Sequence, residues 1–395
     1  MLTPTELVRI ADDVVEIYSK VEQDIVSDIA RRIIKNGYVT ETAKWQLEKA
    51  MEFGYFQGDV NEILAKATGR SKKEIAKLMA EAGVTALKRD DAIYKAAGLN
   101  PIPLTKSPAL QAIILQGTNA TNMLIGNYTQ TTAKMATAAY NNLLDRAYLQ
   151  IISGTYDPNT AIKMAIKDIA TQGINKIAYP SGTESSVENS VRRAVTTGIN
   201  QSVAKLQIAR MDEMNCDLVE VSSHMGARPE HAVWQGQIYS RSGRNGKYAD
   251  FVSSTGYGSG EGLCGWNCYH TFYPYFEGLS TKSFSEDPAK EAGKNNDVEY
   301  ANQQKQRLYE RRVRESKKEC VTYNAAIEAC TDPELKADLQ QEFIRASVKL
   351  KNREANLKHF IEETNRTRLN EREQVYGFDR SVSSKAVWAN RKKGK

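Results

Sequence analysis

Three of the four histidines, His224, His231 and His270, fall in one stretch of the chain with Cys216, Cys264 and Cys268. Neutral imidazole and thiolate are the donors zinc favours, so His224, His231, Cys264, Cys268 and His270 make a candidate ligand set. The spacing within it is uneven. Cys264 and Cys268 have three residues between them and His270 follows two further on, whereas six residues separate His224 from His231, wider than a zinc finger uses. The competing reading makes Cys264 and Cys268 small buried hydrophobes and His231 a hydrogen-bonded core residue. A thiol nucleophile is the other chemistry on offer, with Cys264 or Cys268 activated by a nearby histidine, but no Asp or Asn is marked out as the orienting third group. GEGLCG at 260–265 has dinucleotide-loop spacing without a strand before it or a helix after it, and it lacks the Gly-Lys-Ser/Thr ending of a phosphate loop. Its glycines read instead as a mobile loop returning into the aromatic run WNCYHTFYPYF.

The elements that must position these residues are legible around them. DLVEVSS at 217–223 is the clearest strand signal in the chain. In the segment that follows, SHMGARPEHAVWQGQIY at 223–239, Pro229 suits the first turn of a short helix, Glu230 faces its positive end, and Gly236 can close it in left-handed geometry. His231 and Gln235 then lie one turn apart, Trp234 turns toward the core, and Arg228 is placed to pair with a carboxylate or a backbone carbonyl. Gly226, Arg228, Pro229, Trp234, Gly236 and Asn267 thus form a structural motif, a polar corner that fixes one geometry without turnover.

Outside this region the chain reads as helix. Thr3, Pro4 and Glu6 open a helix spanning 4–36 with a capping box, its seven-residue apolar rhythm suits a partner helix as a long arm, and Gly37 ends it. Shorter helices are expected at 41–53, 60–68 and 72–82, with a break at Gly69 and a second capping box from Ser71 and Glu74. Two helices across a glycine, with Lys72, Lys73 and Lys77 on the second, also have the form of a DNA-reading helix-turn-helix, although no second basic element accompanies them. Residues 101–211 stay helical: Asp157 and Pro158 open a helix that Gly173 closes, and Ser185 with Glu188 starts another leading into the strand. From about 286 the composition turns charged and Gln-rich, and Thr331-Asp332-Pro333 divides it into two arms, 298–329 and 333–371, that fold back as an antiparallel hairpin. The terminal Arg391, Lys392 and Lys393 form a short basic tail, ordinarily a solvated terminus and in some proteins a phosphate contact.

The bulk numbers bound the function classes. With 395 residues, 41% hydrophobic and 26% charged, the chain is an ordinary globular one with room for more than one unit. A formal charge of +6 over 54 basic and 48 acidic residues does not by itself indicate a nucleic-acid binder. The longest apolar run, ALQAIIL at 109–115, is too short to cross a bilayer, and residues 1–13 carry no signal-peptide pattern, so no membrane partner is expected. Five scattered cysteines argue for thiols in a reducing cytoplasm.

At DLVEVSSHMGARPEHAVWQGQIYS, at GLCGWNCYHTFYPYFEG and at the upstream VENSVRRAVTTGINQS, the sequence resembles the tailed-phage minor capsid protein 2 family, itself similar to Mu F-type head morphogenesis proteins. The resemblance is strongest over 160–279 and rests on Gly226, Ala227, Arg228, His231, Trp234, Gly236, Cys264, Asn267, Cys268 and His270. It implies a non-enzymatic minor head protein, made in the bacterial host cytoplasm and carried in the virion, that acts in head assembly with the portal protein and the capsid shell as partners. Two other classes stay open: a zinc- or thiol-dependent hydrolase housed in 217–279, and a sequence-independent accessory contact with packaged DNA. The expected architecture is mainly α with a small α+β domain. A helical arm region (1–100), a helical lead-in with the α+β domain (101–285) and a charged helical hairpin with a basic tail (286–395) divide it, with no cofactor beyond zinc.

Overall fold

The computed structural model describes residues 2–36, 42–174, 177–178 and 184–393, with the side chains of 36, 42–47, 177–178, 184 and 391–393 outside that description. The architecture is mainly α with a small antiparallel sheet, long N-terminal helices and a C-terminal helical hairpin. The expected end of a helix at Gly37 lies outside the described residues.

The opening capping box is present: the Thr3 hydroxyl accepts from the Glu6 peptide N–H, and Glu6 accepts from the Thr3 peptide N–H at 2.7 Å. Helix α1 (Pro4–Arg9) nevertheless stops at Ile10, and α2 (Asp12–Asn36) begins anew with Asp12 and Asp13 at its positive end. The single helix expected over 4–36 is therefore two. A larger departure follows. Helix α3 (Thr42–Ala96) runs without interruption through Gly69, where three short helices and a turn were expected. Its buried stripe explains why: Phe56, Val60, Leu64, Ala67, Ser71, Ile75, Met79 and Ala82 keep helical phase across the glycine, and Ser71 lies in the stripe rather than at a helix start. An interior glycine costs only about 1 kcal/mol, less than this packing returns. The helix-turn-helix form is thereby absent.

Next come α4 (Pro108–Ile152) and α5 (Pro158–Gln172), the latter capped by Asp157 and closed by Gly173 as its sequence indicates. A two-residue antiparallel pair, β1 (Ile177–Ala178) and β2 (Glu184–Ser185), precedes α6 (Val187–Glu213). The remaining elements are β3 (Leu218–Val221), α7 (Pro229–Ala232), β4 (Ile238–Ser240), α8 (Phe251–Thr255), β5 (Phe272–Tyr275), α9 (Pro288–Glu291), α10 (Asn296–Ala329), α11 (Pro333–Glu363) and α12 (Arg380–Lys393).

Two compact units share these elements. One comprises the residues to Val15, Arg70–Gly126 and Asn189–Gln304; the other Glu16–Gly69, Asn127–Glu188 and Lys305–Lys395. In the first, β3 is the central strand between β4 and β5, antiparallel to both, with Val219 opposite Tyr239 and Pro274. All four β3 residues are buried, and Pro274 is tolerated because β5 is an edge strand. Helix α6 is tied to this sheet by Gln207, which donates to the Phe272 carbonyl at 2.8 Å. Close crossing of α4 and α6 depends on small residues: a Cβ at Gly198 would lie 2.2 Å from the Thr121 hydroxyl.

In the second unit, α2 from residue 17 to 34 is buried almost all round, including Ser19, Glu22, Gln23 and Ser27, so its contact surface is wider than a narrow stripe. Partners along α10 and α11 pair with nearly constant summed position: Arg353 with the Arg312 carbonyl, Lys349 with Glu319, and Cys320 with Ser347. That pattern is the antiparallel hairpin, opened at α11 by the Asp332 cap on Leu335. Between α10 and the first turn of α6, Glu188 lies 2.9 Å from Lys318, which also meets Glu22 at 2.9 Å.

Candidate functional site

The chain leaves β3 into a turn at 224–227 that the first turns of α10 hold in place. Asn296 accepts from the Gly226 peptide N–H at 3.0 Å and donates to the Ala227 carbonyl, while Gln303 donates to the Met225 carbonyl. Arg228 then takes the N-cap position of α7 without a side-chain capping bond, Pro229 occupies its first turn, and His231 ends up pointing into the core, 2% exposed. From the other side, α8 leads into the glycine-rich segment, which packs down instead of standing free: Leu263, Cys264 and Cys268 are all buried. The mobile loop expected from its glycines is thus a folded one, with Cys264 and Asn267 both at positive φ. Arg228 ties the two sides together by donating to the Trp266 carbonyl.

These two segments converge on the Cys268 sulfur. Nδ1 of His231 and Nδ1 of His270 each lie 3.7 Å from it, and the three potential ligand atoms are all within 4.8 Å of one another. Nε2 of His231 faces the Glu261 carbonyl oxygen at 2.7 Å, and Nε2 of His270 faces Oε1 of Gln235 at 3.0 Å. Trp234 walls the group, with ring centroids 4.6 Å from His231 and 4.8 Å from His270. From α6, Asn200 donates to the Cys268 and His270 carbonyls at 3.0 and 3.2 Å and fixes the strand entry.

Two of the five expected ligands stand beside the convergence and not in it. His224 stacks on His270 with centroids 4.4 Å apart, while its Nδ1 lies 3.2 Å from the Met225 carbonyl. The Cys264 thiol donates to the His270 carbonyl at 3.6 Å. Among the motif residues, Gly236 is buried with φ +64, four residues beyond the end of α7 and so not its cap, and the Asn267 peptide N–H donates to Thr197. Lys72, Lys73 and Lys77 lie on the exposed side of α3, and Lys77 donates to Glu74 at 3.3 Å. Arg391, Lys392 and Lys393 end α12, and their side chains lie outside the described ones.

Electrostatics at the cluster favour neutral groups. Burial pushes the Cys268 thiol up to about 11 and raises Cys264 well above the ordinary thiol range. Burial also lowers His231 and, more strongly, His270, helped there by His224 and His231. A thiolate–imidazolium pair ready for attack is the opposite arrangement. Sequence reasoning missed Asn200 and the acceptor role of Gln235. Asn200 and Gln207 sit two turns apart on α6, and both are buried; polar residues recurring on one helix face were the signal available.

The sequence profile of the family described as Phage minor capsid protein 2 matches residues 2–362. A protein named "Structural protein" from Lactococcus phage LL-H is 25% identical over 293 residues, covering 70% of this chain and 76% of that one. Another "Structural protein", from Lactococcus phage mv4, is 40% identical over 73 residues, 18% of this chain and 55% of the relative. No solved structure matches. The match takes in the N-terminal helices and nearly all of the C-terminal hairpin as well as the small sheet, and the chain belongs to the phage minor capsid protein 2 family.

Proposed function

We propose that this chain is a low-copy component of the tailed-phage head that acts in head assembly beside the portal, and that its His–Cys corner braces the fold without catalysing a reaction. The observation that carries the reading is the family match over residues 2–362, supported by relatives named as structural proteins. Burial of the cluster supports the bracing role: His231, Cys268 and His270 are at most 2% exposed, and burial holds the metal-free Cys268 thiol neutral, which argues against a thiol-dependent hydrolase at 217–279. Helix α4 supports the assembly role. Leu115 and Met123, about two turns apart on the same side of the helix, are both more than half exposed and offer apolar side chains to a partner surface in the shell or the portal. Packaged DNA is a secondary partner through the exposed lysines of α3, a contact that would weaken steeply with salt. Gradient-purified particles, analysed by peptide quantitation and by cross-linking to the portal protein, test the proposal.

A further inference from the structure

The hydrogen bonds around the two buried imidazoles fix where their protons are. A carbonyl oxygen only accepts, so the contact of His231 Nε2 with the Glu261 carbonyl at 2.7 Å makes that nitrogen the donor. Gln235 Oε1 accepts the His224 peptide N–H at 3.1 Å, which identifies it as the oxygen, and it therefore accepts from His270 Nε2 as well. In both neutral rings Nδ1 is left with a lone pair, and both lone pairs face the same sulfur at 3.7 Å. A thiol carries one hydrogen. It can satisfy one of these lone pairs and leaves the other buried without a donor, an unfavourable arrangement.

A divalent cation resolves this conflict. With the Cys268 proton released to solvent, the thiolate and two imidazole lone pairs supply three donors of the kind zinc prefers, in two segments already held face to face. Two of the three distances are close to such a site: zinc–nitrogen and zinc–sulfur bonds of about 2.0 and 2.3 Å at a tetrahedral angle place nitrogen and sulfur about 3.5 Å apart, against 3.7 Å here. The two Nδ1 atoms, within 4.8 Å of each other, would close to about 3.3 Å on binding. The outer contacts agree too, since the Glu261 carbonyl and the Gln235 side chain hold the opposite ring nitrogens, as partners of metal-bound histidines do. We propose that His231 Nδ1, Cys268 Sγ and His270 Nδ1 bind a zinc ion that fastens α7 to the segment entering β5, its fourth coordination position left to water. His224 and Cys264 flank the site without ligating it.

The test uses the full-length protein purified in metal-scrubbed buffer. Elemental analysis is expected to find about one zinc per chain, or to find one taken up on addition of Zn2+ alone, because the three donors converge on one point. Cys264→Ala, whose thiol lies outside the set, is expected to keep the metal, and Cys268→Ala to lose it. Because Cys268→Ala can fail to fold, Co2+ titration of the wild-type protein provides an independent readout, with a thiolate-to-cobalt charge-transfer band expected. Wild-type protein that takes up neither zinc nor cobalt would overturn the proposal, as would retention of full zinc by folded Cys268→Ala or its loss from folded Cys264→Ala.

Discussion

A Cβ added at Gly236 would lie 2.0 Å from the Ser285 carbonyl oxygen, and the residue holds φ +64. Gly98 has a similar φ of +77 with nothing within 4 Å, so the pair separates backbone strain from collision. Gly98→Ala is expected to cost about 1 kcal/mol, the left-handed penalty alone. Gly236→Ala should cost about 1–3 kcal/mol more, because a backbone carbonyl cannot move aside as a side chain can. Urea denaturation midpoints check this, and equal losses would mean that the segment beyond Gly236 is not packed as described. At this scale the sequence exposed the types of the site residues but not their convergence. Five candidate ligands follow from side-chain chemistry, yet only His231, Cys268 and His270 meet, because one hangs from α7 and the others enter β5, and the approach of those segments is set by pairing across β3. Spacing along the chain carries no record of that approach.

At the scale of elements, helix phase proved more informative than punctuation. Gly69 and the Ser71–Glu74 pair carry the local marks of a helix boundary, but the buried stripe from Phe56 to Ala82 never changes phase, and one 55-residue helix results. Gly69 is exposed, with open space where a Cβ would stand. Gly69→Ala is accordingly expected to raise stability by about 0.5–1 kcal/mol in thermal or urea unfolding, whereas a glycine needed for a turn would make the variant less stable. Caps with side-chain acceptors were read correctly at Thr3 with Glu6 and at Asp157 before α5, whereas Ser185, expected to start α6, lies in β2, and the helix begins two residues later at Val187. The break between α1 and α2 went unseen because the apolar rhythm continues through Leu7, Ala11 and Val14, all buried on either side of it.

For the whole molecule, charge placement sets a stability limit in acid. Burial would raise the Glu188 carboxyl, but Lys318 and Arg314 outweigh it and bring the group from its ordinary 4.5 down to about 2. A carboxylate held below its unfolded value stabilises the native state fully above about pH 4.5, and that contribution is lost as pH falls through about 2. Wild-type stability is therefore expected to drop across this window, while Glu188→Gln loses about 3 kcal/mol at neutral pH and shows a shallower acid decline. Unfolding curves from pH 7 to 2 read both effects, and an unchanged acid slope in Glu188→Gln would remove this pair from the account. The central claim is that the chain serves as a structural part of the particle, and peptide quantitation of gradient-purified virions tests it most directly. The expected result is the chain present in every preparation at a small fraction of the shell protein and cross-linked to the portal; intact, infectious particles free of it would contradict the claim.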